Sequence, residues 1–286
     1  MRSVLSTLAA AALIVVPLRA QTADSLISRY LRTIGGLDHI EAVQTLRRVG
    51  KVIGGGGFEA VVVQENKRPN KVREEFTIVG MTQITAYDGQ NGWKISPFQG
   101  KKDAEALSED ELRGMVEEAD FDEPLVNWQQ KGNKVEYMGP DQFEGTDVYK
   151  VRATLPNGDS YTYFLDTDYC VPIKVEVRRT IRGAEQSYES VLGNYKQVNG
   201  WYLPFSYESR SIGGSEGSKV TLDSIEANVP IDDSRFERPA APGAPAQAPG
   251  GAKPAPDGRR AGDNTSDAPP ARFRLPTTAT AGGSER

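Results

Sequence analysis

Two different periods of hydrophobic and polar residues along the chain predict a few helices and many strands. Residues 24–34 place apolar side chains at helical spacing, and Gly35 and Gly36 end this predicted helix. A short second helix is predicted over 37–43. From about residue 48, apolar and polar residues alternate instead, which is typical of strands with one buried and one wet face.

A helical insert interrupts these strands. Ser108 and Glu111 stand three residues apart as a capping box, which predicts a helix that runs to about Glu118. Residues 120–128 follow as a loop or short helix, and we expect it to insert its large side chains against an apolar surface. These side chains are Phe121, Leu125 and Trp128.

The number and spacing of the strands predict the fold class. About eleven strands are expected, mostly joined as hairpins, with turn signals every ~8–12 residues. Clean alternation suits an antiparallel sheet, and a sheet this long must curl or close. We therefore predict a mainly β (α+β) fold whose helices cover the concave apolar face of the sheet.

Inward-pointing side chains of such a sheet are candidates for a ligand cavity. Val72, Phe76 and Ile78 alternate with polar residues on one strand, and Val175 and Val177 do so on a later strand. Curved sheets covered by helices often leave a cavity. The candidate ligand-binding residues are Val72, Phe76, Ile78, Trp93, Phe121, Leu125, Trp128, Val175 and Val177. The residues alone indicate a binder of apolar ligands, with a purely structural interaction domain as the rival.

Both ends of the chain differ from the body between them. Residues 1–20 combine a basic start, an apolar run too short to span a membrane and a small residue at Ala20, which predicts a cleaved secretory signal peptide. Pro, Gly and Ala make up 28 of the 48 residues of 239–286, which predicts a disordered tail. The predicted folded domain is therefore 21–238, exported and soluble.

Charge and composition exclude several classes of protein. The 286 residues contain one Cys and one His, so an internal disulfide is impossible and a zinc site of Cys and His lacks ligands. Because each end carries a net charge of +2, the body has a net charge of −9. Such an acidic body is a poor candidate for binding nucleic acid or anionic headgroups by charge alone.

Candidate catalytic groups are sparse. Cys170 begins a strand without a positioned base, which indicates an inert packed thiol, and His39 lies in a polar stretch typical of a surface residue. Asp166 and Asp168 lack the further ligands of a calcium loop. Two carboxylates could form a glycosidase site, but the sequence does not bring the acidic pairs together. We therefore predict that the protein is not an enzyme and uses no cofactor or metal.

Five short motifs, taken in order, resemble those of a known family. They are AYDGQNGW at 86–93, ADFDEPL at 119–125, YFLD at 163–166, NGWYLP at 199–204 and ANVPIDDSRF at 227–236. This order resembles the bacterial outer-membrane lipoprotein-sorting proteins of the Lol-type (LolA/LolB-like) carrier superfamily, over about residues 22–238.

The resemblance implies an incomplete antiparallel β-barrel lidded by helices, in a monomer that shields lipid or the acyl chains of a lipoprotein in the periplasm. It also implies transient partners in the inner or outer membrane. The alternative within the superfamily is an envelope-stress signalling module that binds a membrane-bound regulator, with lipid as modulator. Carriers of this type latch the lid with a buried Arg on an early strand, for which Arg68 and Arg73 are the candidates, although Arg73 falls on the polar face.

Overall fold

The computed structural model describes residues 21–181 and 183–240. The predicted signal peptide and almost all of the predicted tail lie outside this part of the chain. Within it, no helix is both long enough and apolar enough to cross a membrane.

Three α-helices and fifteen strands follow one another along the described residues. The helices are α1 (Ala23–Thr33), α2 (Leu37–Ala42) and α3 (Glu109–Ala119). The strands are β1 (Thr45–Ile53), β2 (Glu59–Lys67), β3 (Lys71–Ile78), β4 (Met81–Tyr87), β5 (Gly92–Ser96), β6 (Lys101–Ala106), β7 (Lys134–Phe143), β8 (Thr146–Thr154), β9 (Ser160–Asp166), β10 (Pro172–Ile181), β11 (Ala184–Gly193), β12 (Lys196–Val198), β13 (Trp201–Leu203), β14 (Ser206–Ser211) and β15 (Gly217–Ala227).

Local sequence signals set the helix ends. The predicted capping box is present, since the Ser108 side chain accepts from the Glu111 backbone and Glu111 reaches back to Ser108. Gly35 lies just after the end of α1 and has a φ of 120°, which favours glycine. A Cβ atom at this position would lie 2.0 Å from the carbonyl oxygen of Gly200, so the turn after α1 and the β12–β13 hairpin require a glycine here.

Thirteen strands form one antiparallel sheet in the order β6-β5-β4-β3-β2-β1-β15-β14-β11-β10-β9-β8-β7. The sheet does not close, because β6 and β7 remain as its two edges. The strands β12 and β13 form a separate hairpin. The predicted mainly β fold, an incomplete antiparallel barrel with few helices, is confirmed.

Two of the strands beyond the expected eleven have a physical explanation. β6 (Lys101–Ala106) is polar and exposed, so it carries no alternating apolar signal. Pro204 divides the stretch 201–209 into β13 and β14, since proline has no N–H to donate to a ladder. Pairing with β5, rather than a local pattern, makes β6 a strand.

The core lies on one face of this sheet, which we call the inner face. The main cluster joins side chains of α1 and α2 to inner-face residues of both halves of the sheet. A smaller cluster lies under α3, where Met115 and Ala119 pack on Val72 and Tyr87. The helices therefore cover the inner face and leave the outer face to solvent and to the C-terminal segment.

Candidate functional site

The inner face brings together most of the side chains that were predicted to bind a ligand. Directly paired residues of neighbouring strands point to the same side of a sheet. Val62 pairs with Phe76, and Val175 pairs with Tyr163, and all four belong to the main core. The predicted residues on this face are Val72, Phe76, Ile78, Val175 and Val177.

The segment 120–128 lies over the same face. Phe121 and Leu125 are buried in the main core, and Trp128 packs against it half-buried. The Phe121 ring lies 6.5 Å from the ring of Trp201, between centroids. We call α3 together with this segment, residues 109–128, the lid.

Trp93 lies on the outer face, contrary to the expectation that it would line the concave face. It pairs with Ala86, whereas the next residue, Tyr87, points inward with Val72. The indole Nε1 of Trp93 donates to the carbonyl oxygen of Phe236 at 2.7 Å. The sequence did not show this, because β5 has only five residues and no clean alternation.

Arg68 fastens the lid to the helices at one end of the sheet. Its two terminal nitrogens each lie 2.5 Å from a carboxylate oxygen of Asp122 in the lid. The same guanidinium donates to the carbonyl oxygens of Val43 at 2.7 Å and Ile40 at 3.0 Å. Its central carbon lies 4.7 Å from the centroid of the Phe121 ring.

Arg73, the other latch candidate, makes its contacts on the outer face. It forms an ion pair with Glu75 at 2.9 Å and donates to the carbonyl oxygen of Arg235 at 3.0 Å. Its guanidinium also lies 5.7 Å from the Trp93 ring centroid. Of the two candidates, Arg68 therefore touches the lid and Arg73 does not.

A buried polar row lies beneath the lid on the inner face of β1, β2 and β3. Arg48, Gln64 and Glu74 are directly paired across these strands. Arg48 Nη1 donates to Gln64 Oε1 and Asn66 Oδ1, both at 2.8 Å. Gln64 Nε2 donates to Glu74 Oε1 at 3.0 Å and to Glu118 Oε2 at 3.2 Å.

Sequence reasoning missed this row, although one signal was present. Arg48 stands two residues after Leu46 and four before Val52, both inner-face core residues, so alternation places a charge where an apolar side chain is usual. Burial lowers the pKa of the Arg48 guanidinium, and neighbouring Tyr207 and carboxylates oppose this shift.

Glu117, which precedes Glu118 on α3, is bound to β9 and β10. We call these two strands the opposite wall of the sheet, because they face β1–β3 across a cavity under the lid. Arg179 Nη2 on β10 donates to Glu117 Oε2 at 2.8 Å, and the Tyr161 hydroxyl on β9 donates to the same oxygen at 3.1 Å. Asp159 lies beside them, 4.0 Å from Arg179 Nε. Burial, followed by the charge of Glu117, raises the pKa of Asp159.

A cavity of about 60 Å³ lies between the lid and the sheet. This volume holds roughly four to six water molecules, whereas ligand pockets usually measure about 300–1,000 Å³. The cavity is therefore smaller than the pockets that usually hold a ligand. The lining residues are Arg48, Gln64, Glu117, Glu118, Asp120, Phe121, Glu123, Pro124, Tyr161, Tyr163, Val175, Tyr207 and Val220.

The lone cysteine and the lone histidine do not line this cavity. Cys170 is buried, and burial raises the pKa of its thiol to about 11, so the thiol is protonated at neutral pH. His39 Nδ1 lies 2.8 Å from the carbonyl oxygen of Gly35 in the turn after α1. The described residues hold no cluster of three or more side chains suited to bind a metal ion.

No protein-family model matches the chain, and no curated protein sequence matches it. Several solved structures are similar to the chain. A LolA superfamily protein from Nitrosomonas europaea is 14% identical, with 76% of this chain and 98% of that chain covered and a TM-score of 0.51. A DUF1329 family protein from Desulfovibrio piger is 12% identical, with the same coverage of 76% and 98% and a TM-score of 0.53. This likeness shows that the chain has the fold of LolA superfamily proteins.

Proposed function

We propose that this protein binds acyl chains or another lipid in the periplasm and carries lipoprotein toward the outer membrane. The observation that carries the proposal is the apolar inner face closed by a lid. The lid contributes Phe121 and Leu125 to that face, and Val175 lies on the sheet beneath it. An acyl chain that displaced these lid side chains would meet the same apolar surface.

The contacts that fasten the lid suit repeated opening. Asp122, Glu117 and Glu118 attach it to the sheet and to α2 through charged and polar groups. Water can replace such contacts when the lid lifts, whereas exposed apolar surface has no substitute except another apolar group. The apolar side of the lid therefore favours exchange with a lipid over exposure to solvent.

Binding without catalysis is the second part of the proposal. Cys170 lies outside the cavity with its thiol protonated, and His39 lies at the turn between α1 and α2. The cavity itself is lined by aromatic, aliphatic and paired polar side chains, which suits retention of a ligand. The proposed location follows from the signal peptide predicted at residues 1–20.

Lipid that copurifies with the protein tests the proposal. Native mass spectrometry of protein purified from a bacterial periplasm is expected to show an adduct with the mass of an acyl lipid. The variant Val175→Trp fills the cavity and is expected to lose the adduct. Thr77→Trp is the matched control, because Thr77 lies on the outer face of β3 and pairs with Thr82.

Two results would contradict the carrier proposal. One is wild-type protein without lipid in a stable complex with a single envelope protein, which would favour the signalling alternative. The other is an adduct that Val175→Trp retains at the level of Thr77→Trp, since the lipid would then lie away from the cavity.

A further inference from the structure

The floor of the cavity carries the positive charge of Arg48, and the charges of Glu123 and Glu118 in the closed lid favour this charge. The Arg48 side chain is buried, with the residue 7% exposed. A buried guanidinium is costly unless anions and hydrogen-bond acceptors compensate it. Two carboxylates join its hydrogen-bond network through Gln64, namely Glu74 on the sheet and Glu118 on the lid. Glu123 of the lid also lines the cavity, and its charge favours the charged guanidinium.

Two amide groups of the floor also donate to the lid. Gln64 Nε2 donates to the carboxylate of Glu118 at 3.2 Å, and Asn66 Nδ2 donates to its backbone carbonyl at 2.9 Å. When α3 lifts, both hydrogen bonds to Glu118 break and its charge leaves the floor. Glu74 stays behind, because it belongs to β3 and is paired with Gln64.

We propose that Arg48, Gln64 and Asn66 form a subsite for the anionic headgroup of an acyl ligand, and that Glu118 occupies this subsite while the lid is closed. The headgroup is a carboxylate or a phosphate, since either offers oxygen acceptors to a guanidinium and two amides. The inference deepens the proposed function, on which it rests, by naming the class of lipid.

The rest of the cavity has the right character for the attached chain. Phe121, Val175 and Val220 continue the lining from the polar floor toward the main core. A ligand with a charged end and an alkyl chain would thus satisfy both parts of the site. A cationic headgroup would repel Arg48, and a neutral one would leave its charge without the anion that Glu118 supplied.

The neighbouring glutamate on the same helix supplies a matched control. Glu117 also fastens the lid, but it does so through Arg179 and Tyr161 on the opposite wall. Glu117→Gln and Glu118→Gln both weaken one attachment of the lid and preserve side-chain shape. Of these two variants, only Glu118→Gln removes a negative charge that is hydrogen-bonded to the proposed subsite.

Titration calorimetry below the micelle concentration compares dodecanoate, dodecyl phosphate, dodecanol and dodecyltrimethylammonium. Wild-type protein is expected to bind both anionic chains about tenfold more tightly than dodecanol, and the cation more weakly. Glu118→Gln is expected to raise the affinity for the anionic chains by about another tenfold and for dodecanol by less than about threefold. Glu117→Gln is expected to change the anionic and neutral chains by equal factors.

Arg48→Met provides a second test and is expected to remove the preference for anionic chains. Circular dichroism would show whether this variant fails to fold. In that case the comparison of Glu117→Gln with Glu118→Gln still tests the inference. Equal factors for all chains in Glu118→Gln would overturn the inference, because Glu118 would then be a fastening group alone.

Two other results separate this inference from the proposed function. Chains that bind without regard to headgroup would overturn the subsite and leave the lipid carrier intact. Failure of every chain to bind would overturn the proposed function itself. Inorganic phosphate that competes as well as dodecyl phosphate would show a free-anion site and would also overturn the inference.

Discussion

Trp93 and Phe236 hold the C-terminal segment against the outer face of the sheet. The Trp93 indole donates to the Phe236 carbonyl oxygen at 2.7 Å, and both side chains are buried. Next to them, Arg235 Nε lies 2.5 Å from Glu65 Oε2 on β2, and Asp233 pairs with lysines of β2 and β3. The segment that follows the last strand is thus bound to the outside of the half-barrel.

These contacts predict where the chain can be shortened. A chain that ends after Pro239 keeps Phe236 and is expected to melt within a degree or two of the full-length protein. Phe236→Ala is expected to lose about 3–5 kcal/mol of unfolding free energy, since the Phe236 side chain is fully buried and its removal leaves a cavity. Thermal melting by circular dichroism measures the stability of the shortened chain and of Phe236→Ala against the full-length protein. A fall of several degrees on truncation after Pro239 would show that residues beyond it dock on the domain.

Tryptophan emission should report movement of the lid. Trp128 is half-buried on the lid, so a hydrophobic chain that enters the cavity is expected to shift its emission. Trp128→Phe is expected to remove most of this change, with a smaller part left from Trp201, whose ring lies near Phe121. Trp93→Phe is the control and should keep the change, because Trp93 lies on the outer face. A full response in Trp128→Phe would place the ligand elsewhere.

The start of the lid helix should contribute pH-dependent stability. Glu111 accepts from Ser108 N at 2.9 Å and from Lys94 Nζ at 2.7 Å. Burial raises the pKa of Glu111, but these hydrogen bonds and the charge of Lys94 outweigh it, so the folded-state pKa lies below the ordinary value of 4.5. A depressed pKa means that the folded state prefers the charged form. Its stabilisation is present above the ordinary value and is lost as the pH falls through the folded-state value.

Glu111→Gln keeps the capping-box hydrogen bond and loses the charge, so it is expected to cost about 0.3–1 kcal/mol at pH 7. The difference from wild type should shrink as the pH falls below 4.5 and through the lowered pKa of Glu111. Urea unfolding at several pH values measures it. Glu109→Gln, at an exposed position of the same turn, should show at most a few tenths of a kcal/mol. A Glu111→Gln difference that does not shrink at all as the pH falls below 4.5 would rule out the charged cap as its source.

Arg68 should control how readily the lid opens. Arg68→Met breaks both contacts with Asp122 and the hydrogen bonds to α2, and leaves a mostly buried carboxylate without its arginine. The expected cost is up to about 3 kcal/mol of unfolding free energy. In stopped-flow measurements, a fluorescent fatty acid should bind faster than to wild type. Arg73→Met, whose contacts lie on the outer face, should leave this rate unchanged. Equal rates of fatty-acid binding to Arg68→Met and Arg73→Met would show that Arg68 does not hold the lid closed.

Local signals determined much of the architecture. The capping box at Ser108 and Glu111 places the start of α3, because its hydrogen bonds involve residues three positions apart. Alternation on β3 and β10 correctly placed Phe76 and Val175 inside, since a strand turns successive side chains to opposite faces. Alternation along many short strands also indicated an antiparallel sheet with one buried face. A sheet with so many strands must curl, and its helices cover the concave face.

The composition of the candidate site was decided by the tertiary structure. Curvature of the sheet brings β1–β3 opposite β9–β10, so that Glu117 and Glu118 reach different walls from adjacent positions of one helix. Arg48 and Glu118 are seventy residues apart in the chain, and their shared network exists only because α3 lies across the inner face. Trp93 was assigned to the wrong face because its short strand takes its orientation from pairing with β4. Side-chain direction within a strand is a local property, whereas the partner of a buried charge depends on which distant strands the fold brings together.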